Sequence, residues 1–146
     1  MNISIVSISD WDKHFQDISN DYFKRIQAFC TLKRIKSIKY GPRHEIIAKE
    51  TLLLQQAIPV WSKTILLSHR WPSRTSEDFS AYLEKHQQVT FLIWWAFGVN
   101  EEVILPSVDA TLSFGKQTMP HWVVKVILLE QLWRAYTLQI WKKYHY

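Results

Sequence analysis

Apolar and polar residues alternate from Asn2 to Ile8, as on a strand with one buried face. Trp11, Phe15, Ile18, Tyr22, Ile26 and Phe29 then recur at helical spacing, giving β followed by α. Leu32 to Tyr40 reads as a second strand, Glu45 to Ala57 as a helix, and Lys63 to Ser68 as an apolar strand. Thr75 with Asp78 three residues on has the form of a capping box with Asp in place of Glu, opening a helix to about His86. Val89 to Ile93 is a continuous apolar strand; a short helix near Glu101, a strand around Thr111 to Phe114 and a long final helix follow. Alternating elements with unbroken apolar strands predict an α/β fold, a mostly parallel sheet with helices on both faces. No linker, repeat or low-complexity tract interrupts the 146 residues, so a single domain spanning 1–146 is expected.

The final helix is the most patterned segment. Pro120 fits its first turn, where a missing N–H costs nothing, and Thr118 just before it is placed to cap exposed donors. From Val123 onward, Val123, Val126 and Ile127 mix with Val124, Leu128, Leu129, Leu132 and Leu138, so apolar residues cover more than one stripe. Burial on two sides follows. The second side faces either a partner subunit or more of the same chain.

Composition narrows the class of function. The longest apolar stretch, Val89 to Val99, is broken by Thr90 and is too short to span a bilayer, so no membrane association is expected. Met1 to Val6 lacks the basic start and long apolar core of a signal peptide, and Cys30 has no disulfide partner, which together point to the cytoplasm. Eighteen Lys and Arg against thirteen Asp and Glu give a net charge of +5, a bias toward polyanions such as RNA. Lys33, Arg34, Lys36, Lys39 and Arg43 have no acid among them until Glu45; they form either a phosphate-contacting face or a plainly solvated strand and loop. There is no GxGxxG and no GxxxxGK[ST], and three glycines leave little material for a phosphate-cradling loop. The six histidines show no zinc-ligand spacing, so no metal is expected, and Cys30 among apolar neighbours is expected to be buried and structural.

The segment Leu112-Ser113-Phe114-Gly115-Lys116-Gln117-Thr118-Met119-Pro120-His121, the helix bearing Glu130-Gln131-Leu132-Trp133-Arg134-Ala135, and the terminal Tyr144-His145-Tyr146 resemble a family signature. They are similar to the RlmH-type rRNA methyltransferases of the SPOUT class, densely over residues 112 to 145 and loosely elsewhere. The resemblance implies a C-terminal trefoil knot on the parallel sheet, which periodicity cannot reveal and topological priors disfavour. It also implies S-adenosyl-L-methionine as cofactor, held by the strand end at Leu67, by the segment from Phe91 through Trp94 to Gly98, and by the backbone of Phe114, Gly115, Lys116, Gln117, Thr118 and Met119. Gly115 and Gln117 replace the family's usual Ser and Met. By the same resemblance His121 or His145 assists proton loss from the substrate, while Arg134, Tyr144 and His145 position it; read alone, Arg134 is equally a surface cation.

One departure is chemical rather than cosmetic. Trp94 and Trp95 stand where the family has the two leading glycines of a Gly-Gly-x-x-Gly loop, and Trp71 and Trp141 also match family glycines. Glycine serves there because backbone approaches the ligand closely or takes positive φ. The chain has eight Trp and three Gly, where average usage of about 7% predicts about ten Gly. Two explanations stand: a UGA codon written as tryptophan is decoded as glycine in the native host, or the tryptophans are real and the donor site is lost.

The resemblance therefore implies a homodimeric enzyme that methylates ring N3 of a pseudouridine in large-subunit rRNA on the assembled ribosome. The alternative is an inactive homologue acting as an RNA- or ribosome-binding module.

Overall fold

A computed structural model describes residues 1–9, 13–70, 72–94 and 97–144, with the side chains of 13–15 and 142–144 excepted. Five strands, β1 (Asn2–Ile8), β2 (Cys30–Ile35), β3 (Lys63–Leu67), β4 (Gln88–Ile93) and β5 (Ala110–Leu112), form one sheet in the order β2-β1-β4-β3-β5. All four pairings are parallel. Five helices connect and follow them: α1 (Lys13–Ile26), α2 (Arg43–Gln56), α3 (Ser76–Lys85), α4 (Glu101–Ile104), continued by a 3₁₀ turn at Leu105–Ser107, and α5 (His121–Tyr144).

Crossover handedness decides which face each helix covers. The steps β1 to β2 and β3 to β4 run in one direction across the sheet, and β2 to β3 and β4 to β5 run in the other. Right-handed connections therefore send α1 and α3 to one face and α2 and α4 to the opposite face. The buried clusters agree. Ile3, Ile5, Phe91 and Ile65 pack with Ile26 of α1, Phe79 and Leu83 of α3, and Leu128, Leu129 and Leu132 of α5. On the other face Val6, Ile8, Leu66 and Leu92 meet Leu54 of α2 and Ile104 of α4. Thr75 caps α3 as its sequence predicts, its Oγ1 accepting from the Asp78 N–H at 3.0 Å.

Several boundaries differ from the sequence pattern: α1 ends at Ile26 rather than Phe29, α2 runs Arg43–Gln56 rather than Glu45 to Ala57, and three further differences have a structural reason. The second strand is Cys30–Ile35 rather than Leu32 to Tyr40, because its partner β1 stops at Ile8, which pairs with Ile35. Beyond it, the Ile38 N–H turns to the buried Glu50 carboxylate at 3.0 Å. The last strand ends at Leu112, since β3 ends at Leu67 opposite it, and Ser113 instead bridges to Ser73. Thr118 makes no cap: α5 starts at His121, with the Pro120 carbonyl accepting from the Val123 and Val124 N–H groups, so Thr118 falls outside the capping position. The N-terminal part of the predicted first helix, Trp11 and Asp12, lies outside the described residues.

Cys30 is 2% exposed, and burial pushes its thiol up to about 12. It stays protonated and shielded at neutral pH, and the thiolate is the reactive form. A maleimide is expected to leave the native protein unlabelled and to modify it promptly once denaturant is added; rapid native labelling would show that the β2 edge opens.

Candidate functional site

Open parallel sheets bind ligands beyond the carboxyl ends of strands whose connections leave toward opposite faces. β3 exits toward α3 and its neighbour β4 toward α4, and their last paired residues are Leu66 and Leu92. Beyond that point the strands part around a cavity of about 360 Å³. This is within the usual range for small-molecule sites, about 300–1,000 Å³. Leu67, Ser68 and His69 form one wall and Ile93 and Trp94 a second; Leu112 through Gly115 with Gln117, Met119 and Pro120 form the third, closed by His121 and Val124 of α5.

The third wall is held by its own polar groups. The Ser113 hydroxyl accepts from the Gly115 N–H at 3.0 Å and donates to the Gly115 carbonyl, and Gly115 has φ +146°, a value an L side chain resists. Gly98, the glycine retained at the end of the β4 loop, has φ +92°. Across the cavity the Trp94 indole N–H donates to the Leu67 carbonyl at 2.7 Å, and its ring lies tilted 6.5 Å from that of His69. The indole thus bridges two walls and engages a main-chain acceptor at the end of β3.

The family described as "Predicted SPOUT methyltransferase" matches residues 1–145. The chain belongs to the SPOUT methyltransferases. It is similar to proteins named ribosomal RNA large subunit methyltransferase H: 34% identical to that of Mycoplasmopsis synoviae, 32% to that of Mycoplasma mobile and 28% to that of Limosilactobacillus reuteri, in each case over 99% of both chains. It is therefore an enzyme of methyl transfer, and its family requires a methyl donor.

Of the residues assigned to donor binding in the methyltransferase, Leu67, Trp94, Phe114, Gly115, Gln117 and Met119 line the cavity; Lys116 and Thr118 do not. His121 lines it as well. Arg134 does not: it pairs with Glu130 of the same helix at 2.6 Å, a hydrogen bond that holds the guanidinium proton more firmly. It lies thirteen residues beyond His121, about 20 Å along a helix. Tyr144 is the last residue of α5, with its side chain outside the described residues, as are His145, Trp71 and Trp95. Trp141 is on α5 and 62% exposed. Sequence reasoning missed Ser68, His69, Leu112, Ser113, Pro120 and Val124 as cavity residues. A signal existed for the first two, which directly follow Leu67 at the strand end, but nothing local marks Val124.

Among the described residues no group of three His, Cys, Asp or Glu stands together, and no helix is long and apolar enough to cross a membrane.

Proposed function

We propose that this methyltransferase moves a methyl group from S-adenosyl-L-methionine to ring N3 of a pseudouridine in large-subunit rRNA on the assembled ribosome, acting as a homodimer with a C-terminal trefoil knot. The observation behind this reading is the convergence of three separate segments, Leu67 to His69, Ile93 to Trp94 and Leu112 to His121, on one cavity at the strand ends. The relatives' shared name supplies the substrate class. The donor's sulfonium makes its methyl group electrophilic without activation by the protein. The chain's work is then alignment and proton removal.

Backbone of Phe114, Gly115, Gln117 and Met119 and the Leu67 carbonyl would hold the donor, a fit that requires the Trp94 indole to turn away from Leu67. His121, at the first position of α5 and in the cavity wall, accepts the proton leaving the substrate nitrogen. Tyr144 and His145 position the nucleotide. Arg134, far along α5 from its own cavity, serves the site of a second subunit, which makes the dimer part of the active enzyme. The half-buried His121 to Ile127 run, apolar around most of its circumference, suits such a contact.

Incubation with large ribosomal subunits and labelled S-adenosyl-L-methionine, followed by nucleoside digestion, is expected to yield N3-methylpseudouridine; label in another nucleoside would refute the assignment. His121→Ala is expected to lower kcat by about 10²-fold or more, the usual worth of a positioned base, with KM for the ribosomal substrate near wild type. An unchanged kcat would assign the proton to water. The Trp94 contact favours one rival, a non-catalytic ribosome-binding module, which predicts salt-dependent ribosome binding with no saturable donor binding.

A further inference from the structure

The loop joining β2 to α2 carries Lys36 and Lys39 and runs into Arg43, the first residue of α2. It leaves the carboxyl end of β2, so it lies along the edge of the sheet at which the cavity opens. β2 is two strands from β4 in the sheet, about 10 Å away. One contact spans that gap. The Arg43 guanidinium carbon stands 5.4 Å from the centre of the Phe97 ring, and Phe97 follows the cavity residue Trp94 by three positions. The loops after β2 and β4 therefore meet, and together they form a rim beside the cavity. Because α2 covers the face opposite α5, this rim stays open in a dimer formed through α5.

The rim is anchored from beneath and bare above. Ser37 is buried, the Ile38 N–H donates to the buried Glu50 carboxylate at 3.0 Å, and Gly41 turns the chain at φ +126°. Above these anchors Tyr40 is 89% exposed and Phe97 43%. A tyrosine so open adds little to the core and presents a free aromatic face. Lys36, Lys39 and Arg43 are exposed, and among the described residues no acid forms an ion pair with them. Glu45, the nearest acid in sequence, brings a carboxylate oxygen to 3.9 Å from the Cβ position at Gly41, which leaves three cations facing one anion. Exposed rings interleaved with unpaired cations suit a single nucleic-acid strand, whose bases stack and whose phosphates are neutralised.

We propose that this rim docks single-stranded RNA beside the cavity, with an unpaired base stacked on Tyr40 and the flanking phosphates held by Lys39 and Arg43. That the strand is rRNA awaiting methylation rests on the function proposed above; the rim's affinity for RNA does not. An acidic protein surface would satisfy the cations and leave the Tyr40 face unused. Arg43 is suited to the task because a guanidinium packed flat on an aromatic ring still directs its edge N–H groups at phosphate oxygens.

The test is a salt titration of binding to a fluorescent oligouridylate, using the full chain, with an RNA duplex of equal length as comparison. Stacking and charge give different signatures. Tyr40→Ala is expected to weaken oligouridylate binding about fivefold or more, the lower end of what one stacked base contributes, with the salt dependence unchanged. Tyr40→Phe should bind as the wild type does. Arg43→Gln should reduce the slope of log K against log salt by about 0.7, the value for one phosphate contact on a single strand. Duplex binding should be insensitive to Tyr40→Ala, because paired bases offer no free face. Equal oligouridylate affinity in wild type and Tyr40→Ala, or equal losses on duplex and single strand, overturns the proposal, as does an unchanged slope in Arg43→Gln. In parallel, methylation of large subunits by Tyr40→Ala should show KM raised and kcat retained. A wild-type protein that fails to methylate large subunits, yet binds oligouridylate through Tyr40 and Arg43, refutes the rRNA reading and leaves the rim standing.

Discussion

Trp94→Gly is expected to bind S-adenosyl-L-methionine about tenfold or more tightly than the wild type, despite unfolding more easily. The reason is competition for a single acceptor. In the folded protein the Leu67 carbonyl receives the Trp94 indole N–H at 2.7 Å, across the cavity proposed for the donor. A neutral hydrogen bond contributes about 0.5–1.5 kcal/mol net, and moving a half-buried indole into solvent adds a hydrophobic penalty. Each 1.4 kcal/mol no longer spent on displacement is about tenfold in affinity. Trp94→Phe separates the causes: it keeps ring bulk and removes the N–H, so an affinity midway between the two assigns part of the effect to the hydrogen bond. Equal or weaker donor binding by Trp94→Gly, measured by isothermal titration, would show that the indole is no obstacle.

That variant bears directly on decoding. If the host reads the relevant codon as glycine, peptide mass spectrometry of native protein will find glycine at 71, 94, 95 and 141, and native enzyme will behave as Trp94→Gly does. Tryptophan at position 94 would end the recoding explanation and strengthen the binding-module reading.

Leu128→Ala is expected to destabilise the fold by about 2–5 kcal/mol, the range for removing a fully buried leucine. Leu128 is 0% exposed, in the cluster joining β1, β4 and β3 to α1, α3 and α5. Domains are commonly stable by only about 5–15 kcal/mol, so melting should fall by roughly 10 °C at about 3 °C per kcal/mol. The loss should appear as a lower urea midpoint with an unchanged m-value. Donor affinity should fall as well, because α5 carries His121 and Val124 into the cavity wall. A loss under about 1 kcal/mol would mean that α5 repacks, contrary to its hydrogen bonds with α3: Ser76 to Gln131 at 2.7 Å, Ser80 to the Ala135 carbonyl at 3.1 Å and Gln139 to the Ser80 carbonyl at 3.2 Å.

The chain's own pattern determined the order of its elements, because each requirement was local. Val89 to Ile93 is apolar but for Thr90, and all five residues are buried, because β4 lies at the centre of the sheet, covered on both faces. Leu128, Leu129, Leu132 and Ala135 recur at helical spacing because one stripe of α5 meets the core. Thr75 and Asp78 announce a helix start because the cap is made within one turn. Part of the cavity wall was also legible, through the motif from Leu112 to His121. Tertiary structure alone decided the rest, since each remaining feature joins positions far apart in sequence. β2 ends at Ile35 because β1 ends at Ile8; Trp94 reaches the carbonyl of Leu67; Ser76 and Ser80 of α3 bond to α5. No periodicity encodes such meetings. They follow from strand order and crossover hand, which fix what stands beside the carboxyl ends of the sheet.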